Sequence, residues 1–199
     1  MAFFNPEQDT EKHRHNLPHW QQNKVWIFLT YRLADSLPQV ILARWKEERT
    51  TWFAHHPEPW DENTEAEYHQ RFTDRIDRWL DQGHGSCLLQ SPENAQIVAN
   101  AFEHFDGERY RLVRYVVMPN HVHLLFHPLA CHRLPDLVHT WKRFTAREIN
   151  KRENRSGPLW MADYYDRLIR SQKHFDWVLR YIENNPAALS PGSYRLGPH

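Results

Sequence analysis

The sequence predicts an α+β fold, a central antiparallel sheet with helices packed on it. Three observations point there. Runs rich in β-formers recur at 25–33, 110–118, 121–127 and 164–170. Segments of helical periodicity lie between them. The second and third runs are joined only by Pro119-Asn120, a turn too short for anything but an antiparallel pair.

Residues 1–23 read as an irregular arm carrying the His/aromatic cluster "HRHNLPHW". "VWIFLTYRL" then alternates bulky β-formers and gives a first strand. Residues 38–54 and 64–82 have helical periodicity and are separated by "HHPEPW", whose prolines end a helix. They make 38–90 a helical insertion after the first strand. Pro92 is suited to start a helix reaching Phe105. "FDGER" turns into a strand over 110–118, and His121 to His127 is its partner. Over 134–151, Leu134, Leu137, Val138, Trp141, Phe144 and Ile149 form an apolar stripe. "YYDRLIR" suits a short fourth strand, and 172–184 a last helix that Pro186 must end. This order, with helices on one side of the sheet, is a ferredoxin-like sandwich in one domain of 199 residues.

Nine Trp, ten Phe and eight Tyr against six Gly predict an ordered core. The net charge is zero, so overall charge names no polyanion partner, but its distribution is uneven. Acids dominate from Glu58 to Asp81, bases from Lys142 to Arg155, which predicts one basic working face and one acidic solvated face. Cys87 and Cys131 form no CxxC pair and no secreted framework. The N-terminus turns polar after four residues, unlike a signal peptide. No apolar run approaches the roughly 18 residues of a membrane span. A cytoplasmic protein is expected.

In "VVMPNHVHLLF", His121 and His123 are two residues apart in an apolar strand and so share one face. Buried imidazoles must be satisfied, and one cation satisfies both; packing against aromatics is the competing explanation, and an HxH pair serves several metal chemistries. In "WVLRYIENNPAAL", Tyr181 and Asn185 are four apart, on one helix face. A phenol beside a metal is a nucleophile in waiting, although Tyr181 could equally be a core aromatic and Asn185 a helix cap. In "TWKRFTAREINKR", Lys142, Arg143 and Arg147 could follow phosphates while Trp141 or Phe144 stacks on bases, or the helix could be a solvated face. Glycine-rich phosphate loops, HExxH, GxSxG and Cys-rich zinc motifs are absent from the sequence.

Taken together, "YVVMPNHVHLLFHP", "LVHTWKRFTAREIN", "LWMADYYDRLIR" and "VLRYIENNPAAL" resemble the REP-associated tyrosine transposases, which are single-tyrosine HUH transposases. "VWIFLTYRLADSLP" and "DQGHGSCLL" extend the likeness over nearly the whole chain, which departs from it at "AALSPGSYRLG" after the Asn-Pro. The resemblance implies the HUH variant of the ferredoxin-like fold, with His121 and His123 as metal ligands, Tyr181 as the catalytic nucleophile and Asn185 as a third ligand. It implies Mg²⁺ or Mn²⁺ as cofactor and single-stranded DNA beside a hairpin as substrate. The reaction it implies is cleavage and strand transfer through a 5′-phosphotyrosine intermediate. Lys142, Arg143, Arg147, Arg167 and Arg170 are the expected DNA contacts. A monomer is favoured over the dimers of related transposases. Two alternatives remain open: a host-adopted hairpin-DNA-binding protein that does not cleave, and a metal-dependent hydrolase that uses water.

Overall fold

The computed structural model describes residues 3–5, 11–14, 18–22, 25–57, 60–129 and 132–198. The first strands, β1 (Glu11–Arg14) and β2 (Pro18–Gln21), form an antiparallel ladder of their own. The expectation of an irregular arm is corrected here. These strands carry no apolar alternation, and Pro18 occupies a strand's first position, where it is tolerated. The side chains of the His/aromatic cluster, and all of Cys131, lie outside the described residues.

The main sheet has five strands in the order β6-β3-β5-β4-β7, every neighbouring pair antiparallel. They are β3 (Ile27–Arg32), β4 (Tyr110–Val117), β5 (His121–Pro128), β6 (Tyr165–Leu168) and β7 (Arg195–Gly197). The fold is α+β, as the sequence predicts. β7 is new relative to the sequence reading, since three residues carry too little pattern to announce a strand. β5 is central and covered on both faces, so its side chains are buried from His121 to Phe126.

Helices α4 (Pro92–Glu103) and α5 (Leu134–Arg152) cover one face. Their Val98, Phe102, Leu137 and Trp141 pack with Leu29, Tyr31, Leu124 and Phe126. The expectation of helices on one side only does not hold. Helix α6 (Gln172–Asn184) covers the opposite face, where Phe175, Val178 and Ile182 pack with Trp26, Phe28, Val116 and Leu125. Apolar periodicity says that a helix packs on a sheet, but not on which side.

The insertion is a helical hairpin of α1 (Gln39–His55), α2 (Glu62–Tyr68) and α3 (Asp74–Leu80), with a π-helical turn at His69–Thr73 between the last two. Its own small core joins Trp45, Trp52, Tyr68, Phe72, Ile76 and Leu80. The Trp45 indole donates to the Phe72 carbonyl inside the π turn, at 3.2 Å. Among the described residues no helix is long and apolar enough to cross a membrane.

Candidate active site

The site grows from strand pairing. His121 lies opposite Arg32 and His123 opposite Thr30 on β3, while Thr30 in turn lies opposite Tyr165 on β6. With side chains alternating, Phe28, Thr30, Arg32, His121, His123, Tyr165 and Arg167 all project to the face that α6 covers. His121 and His123 are fully buried.

Each imidazole is held by its Nδ1. Asn120 Nδ2 donates to the Leu80 and His84 carbonyls at 3.1 and 3.0 Å, which fixes the way the amide points. Its Oδ1 therefore faces His121 Nδ1, at 2.8 Å, and must accept. His121 Nε2 is then a bare lone pair. His123 Nδ1 is 2.7 Å from the Thr30 hydroxyl. The two Nε2 atoms face each other at 3.1 Å. When His123 also carries its proton on Nδ1, two lone pairs converge on one point. Two ligands at right angles on a divalent cation, each bound at about 2.1 Å, stand about 3.0 Å apart. The other tautomer places a single proton between the same two nitrogens. Burial lowers the His121 pKa to about 3 and takes His123 well below its ordinary value, with the neighbouring His121 adding to the second shift. Both rings are neutral, as ligands must be.

Ser171 caps α6, accepting from the His174 backbone N–H at 3.2 Å, and Pro186 follows its end. Between them the apolar stripe docks the helix so that the Tyr181 ring lies 5.3 Å from the His123 ring, edge to face. Trp177, half-exposed one turn earlier, stacks on Tyr181 at 5.4 Å. The Asn185 N–H still bonds to the Tyr181 carbonyl, so the amide side chain stands one turn beyond the tyrosine. Asn185 Oδ1 is buried without a hydrogen-bond partner. Such an orphaned oxygen on the helix face of Tyr181 fits a place in a cation's shell. Among the described residues, no group of three His, Cys, Asp or Glu stands ready to hold a metal. The donor set here, two imidazoles and an amide, is of another kind and fits a divalent cation.

Three acids close the site from the insertion. Burial raises the Asp77 pKa to about 7, and its charge acts on the Tyr181 phenol. Asp74 pairs with Arg167 at 3.1 Å, and Asp81 Oδ1 lies 4.0 Å from His121 Nε2. Burial first, and then the charges of Asp77 and Asp81, raise the Tyr181 pKa, while Arg167 lowers it. The segment read as a solvated acidic face thus brings three carboxylates to the tyrosine.

The basic residues are scattered. Lys142 Nζ donates to the carbonyls of Met161, Ala162 and Asp163 and lies over the Tyr31 and Tyr164 rings. Burial lowers its pKa to about 8. Its three protons are taken up within the chain. Arg143 and Arg147 are exposed on α5, across the sheet from Tyr181. Arg147 pairs with Glu148 at 2.8 Å. Arg167 is the one that reaches the tyrosine's surroundings, and Arg170 lies 5.4 Å from the Phe4 ring. Trp141 is buried and cannot stack on a base, whereas Phe144 is partly exposed.

Residues 85–185, just over half of the 199-residue chain, match the family model of IS200-like transposases. The chain belongs to that family. Among solved structures, this IS200-like transposase is similar to a REP-associated tyrosine transposase bound to a REP hairpin. That match has 13% identity and a TM-score of 0.48, and covers 89% of this chain and 73% of that one. It is also similar to a candidate transposase of Deinococcus radiodurans R1, at 19% identity and a TM-score of 0.35, over 83% of this chain and 93% of the other. No curated protein matches.

Thr30, Asn120, Asp77, Asp81 and Trp177 are site residues the sequence reading missed. Thr30 had a signal: it is the one hydroxyl-bearing aliphatic residue in an otherwise apolar and aromatic stretch, "IFLTY". Asp77 and Asp81 had none, because acids four apart on a charged helix read as solvated.

Proposed function

We propose that this transposase cleaves and rejoins single-stranded DNA at hairpins, REP-type repeats among them, with Tyr181 as nucleophile and a 5′-phosphotyrosine intermediate. The observation that carries the reading is the meeting of two segments far apart in sequence. The paired Nε2 atoms of β5 and the Tyr181 ring of α6 come together on one buried polar face. Family membership supports DNA transposition as the setting.

His121 and His123, with Asn185 as third ligand, would hold Mg²⁺ or Mn²⁺. When bound there, such a cation would supply polarisation of the scissile phosphate and would offset the charge that develops on it. The chain's own residues do the rest. Thr30 and Asn120 keep the imidazoles aimed at one point. The α6 scaffold fixes the phenol for in-line attack. Arg167, beside Tyr181, is the guanidinium best placed to meet the phosphate once it leaves Asp74. The exposed face of Trp177 offers an unpaired base a stacking surface. Lys142 supports the 161–163 loop under this reading, and Arg143, Arg147 and Arg170 serve the DNA backbone away from the reacting phosphate. The chain works as a monomer in the cytoplasm.

A free phenol has a pKa of about 10, so roughly one tyrosine in a thousand is phenolate at pH 7. Burial raises Tyr181 further. Attack therefore needs both an electrophile for the phosphate and an acceptor for the proton.

The test is covalent capture from a randomised single-stranded DNA library with a central hairpin, incubated with Mn²⁺ and run under denaturing conditions. The expected result is a denaturant-resistant adduct in wild type that is lost in Tyr181→Phe. Cleavage without an adduct would identify a hydrolase using water. Retention of hairpins without cleavage would identify a binding protein.

A further inference from the structure

We infer that Asp81, carried by the helical insertion, supplies an anionic oxygen to the cation site of His121 and His123 and sets its preference for hard divalent cations. The inference rests on the cation-site reading above and deepens it, giving the insertion a share in holding the metal.

The observation is a meeting of lone pairs. His121 Nδ1 donates to Asn120 Oδ1 at 2.8 Å, which leaves the His121 Nε2 bare. That nitrogen has His123 Nε2 at 3.1 Å and Asp81 Oδ1 at 4.0 Å. The carboxylate is beyond hydrogen-bond reach, so no His121 proton holds it there. A carboxylate oxygen facing a buried nitrogen lone pair is repelled by it, and a cation placed between them reverses the sign. Of the insertion's three acids, Asp74 is tied to Arg167 at 3.1 Å, and Asp81 is the one placed at an imidazole nitrogen.

Asp81 is delivered by a built turn. It closes α3, its N–H bonded to the Asp77 carbonyl at 3.0 Å. Asn120 Nδ2 holds the Leu80 and His84 carbonyls on either side of it, with the same amide whose oxygen holds His121. One buried amide therefore fixes both the imidazole and the turn that carries the acid. The Asp81 side chain is 45% exposed and has room to turn. It has to, because the three groups do not yet close on one point. Ligands of one cation stand about 3.0 Å apart at right angles and about 4.2 Å apart when opposite. At 4.0 Å from His121, Asp81 is already inside that span, and a turn of its carboxylate toward His123 completes the set.

The chemistry of the other donors asks for such a group. Two imidazoles and the Asn185 amide carry no charge, and a nitrogen-rich set of that kind suits Zn²⁺ or Ni²⁺. Mg²⁺ and Mn²⁺ are harder cations that favour carboxylate oxygen and keep water in the rest of the shell. Asp81 adds the one negative charge among the donors, on the atom type these cations prefer. The carboxylate matters most where the imidazoles bind weakly, so its loss bears harder on Mn²⁺ than on Ni²⁺.

The test titrates the metal-free full chain with Mn²⁺ and, separately, with Ni²⁺, in the absence of DNA. Free Mn²⁺ is read by its paramagnetic resonance and Ni²⁺ binding by calorimetry, for wild type, Asp81→Asn and His123→Ala. Asn keeps the size of the side chain and removes its charge. The expected result for Asp81→Asn is a fall in Mn²⁺ affinity of about 10- to 100-fold, the range that loss of a partner at a metal site gives. Ni²⁺ affinity should fall by less, and the melting temperature of the metal-free chain should not fall. A Mn²⁺ affinity within about twofold of wild type in Asp81→Asn, with binding lost in His123→Ala, would overturn this inference alone, since even an outer partner is worth about 10-fold. An equal fall for both metals would also overturn it, because a charge acting at a distance does not tell them apart. So would a melting temperature that falls with the affinity, which marks a structural role. A wild-type chain that binds no Mn²⁺, or a His123→Ala that binds it as well as wild type, would overturn the cation-site reading and this inference together.

Discussion

On the sheet face covered by α4 and α5, Phe102, Tyr110, Phe126 and Trp141 meet ring against ring, with centroids 5.0 to 6.0 Å apart. Few polar atoms are buried there: Trp141 Nε1 donates to the Tyr110 hydroxyl, which donates to the Phe102 carbonyl, and the Tyr31 hydroxyl is buried without a partner. On the face covered by α6 and α3, the same strands present Thr30, Arg32, His121, His123, Tyr165 and Arg167. Polar groups buried there give up hydration, and their partners return only part of it. One face supplies stability through apolar burial. The other accepts a burial cost in order to hold two neutral imidazoles, a phenol and three acids in fixed relation.

The comparison is sharpest under truncation. Trp141→Ala, on the aromatic face, should cost about 3–5 kcal/mol, read as a fall in the urea midpoint. His123→Ala, in the same sheet, should cost far less stability yet remove Mn²⁺ binding and adduct formation. If His123→Ala proved the more destabilising of the two, the division between the faces would fail.

A smaller effect should appear with acid. The folded pKa values of His121 and His123 lie below the unfolded value of about 6.5, so the unfolded chain takes up protons first. Their contribution is fully present above pH 6.5 and is lost as pH falls toward the folded values. The slope is at most about 1.4 kcal/mol per pH unit for each histidine. Urea unfolding of metal-free protein between pH 7 and 5 should show this slope, and His121→Gln/His123→Gln should flatten it. An equal slope in the double variant would assign the acid sensitivity elsewhere.

Smaller still is Thr30→Val, which keeps shape and removes the hydroxyl beside His123 Nδ1. Losing such a support weakens metal binding about 10- to 100-fold, measurable by Mn²⁺ titration. An unchanged affinity would mean that packing alone aims the ring.

The two faces also differ in how far the sequence announces them. Apolar periodicity gave the α5 stripe and the β5 run, because burial of one side leaves a repeating mark. His121 and His123 were legible because two polar rings interrupt such a run. Tyr181 and Asn185 were legible as one helix face, and the roles proposed for them come from the resemblance rather than from the pattern. Asp77 was not legible. Its helix carries only Ile76, Trp79 and Leu80 among charged residues, and only the packing of the insertion turns its acids toward α6. Charge patterning pointed instead to α5, whose Lys142 holds a loop and whose arginines lie across the sheet. A segment's charge says how it is solvated in isolation; the topology decides what it meets.

The most direct measurement is to isolate the covalent protein–DNA adduct, digest it with nuclease and trypsin, and locate the nucleotide-bearing residue by mass spectrometry. The account predicts a 5′-linked nucleotide on Tyr181. A nucleotide on Tyr164, Tyr165 or any other residue would contradict it.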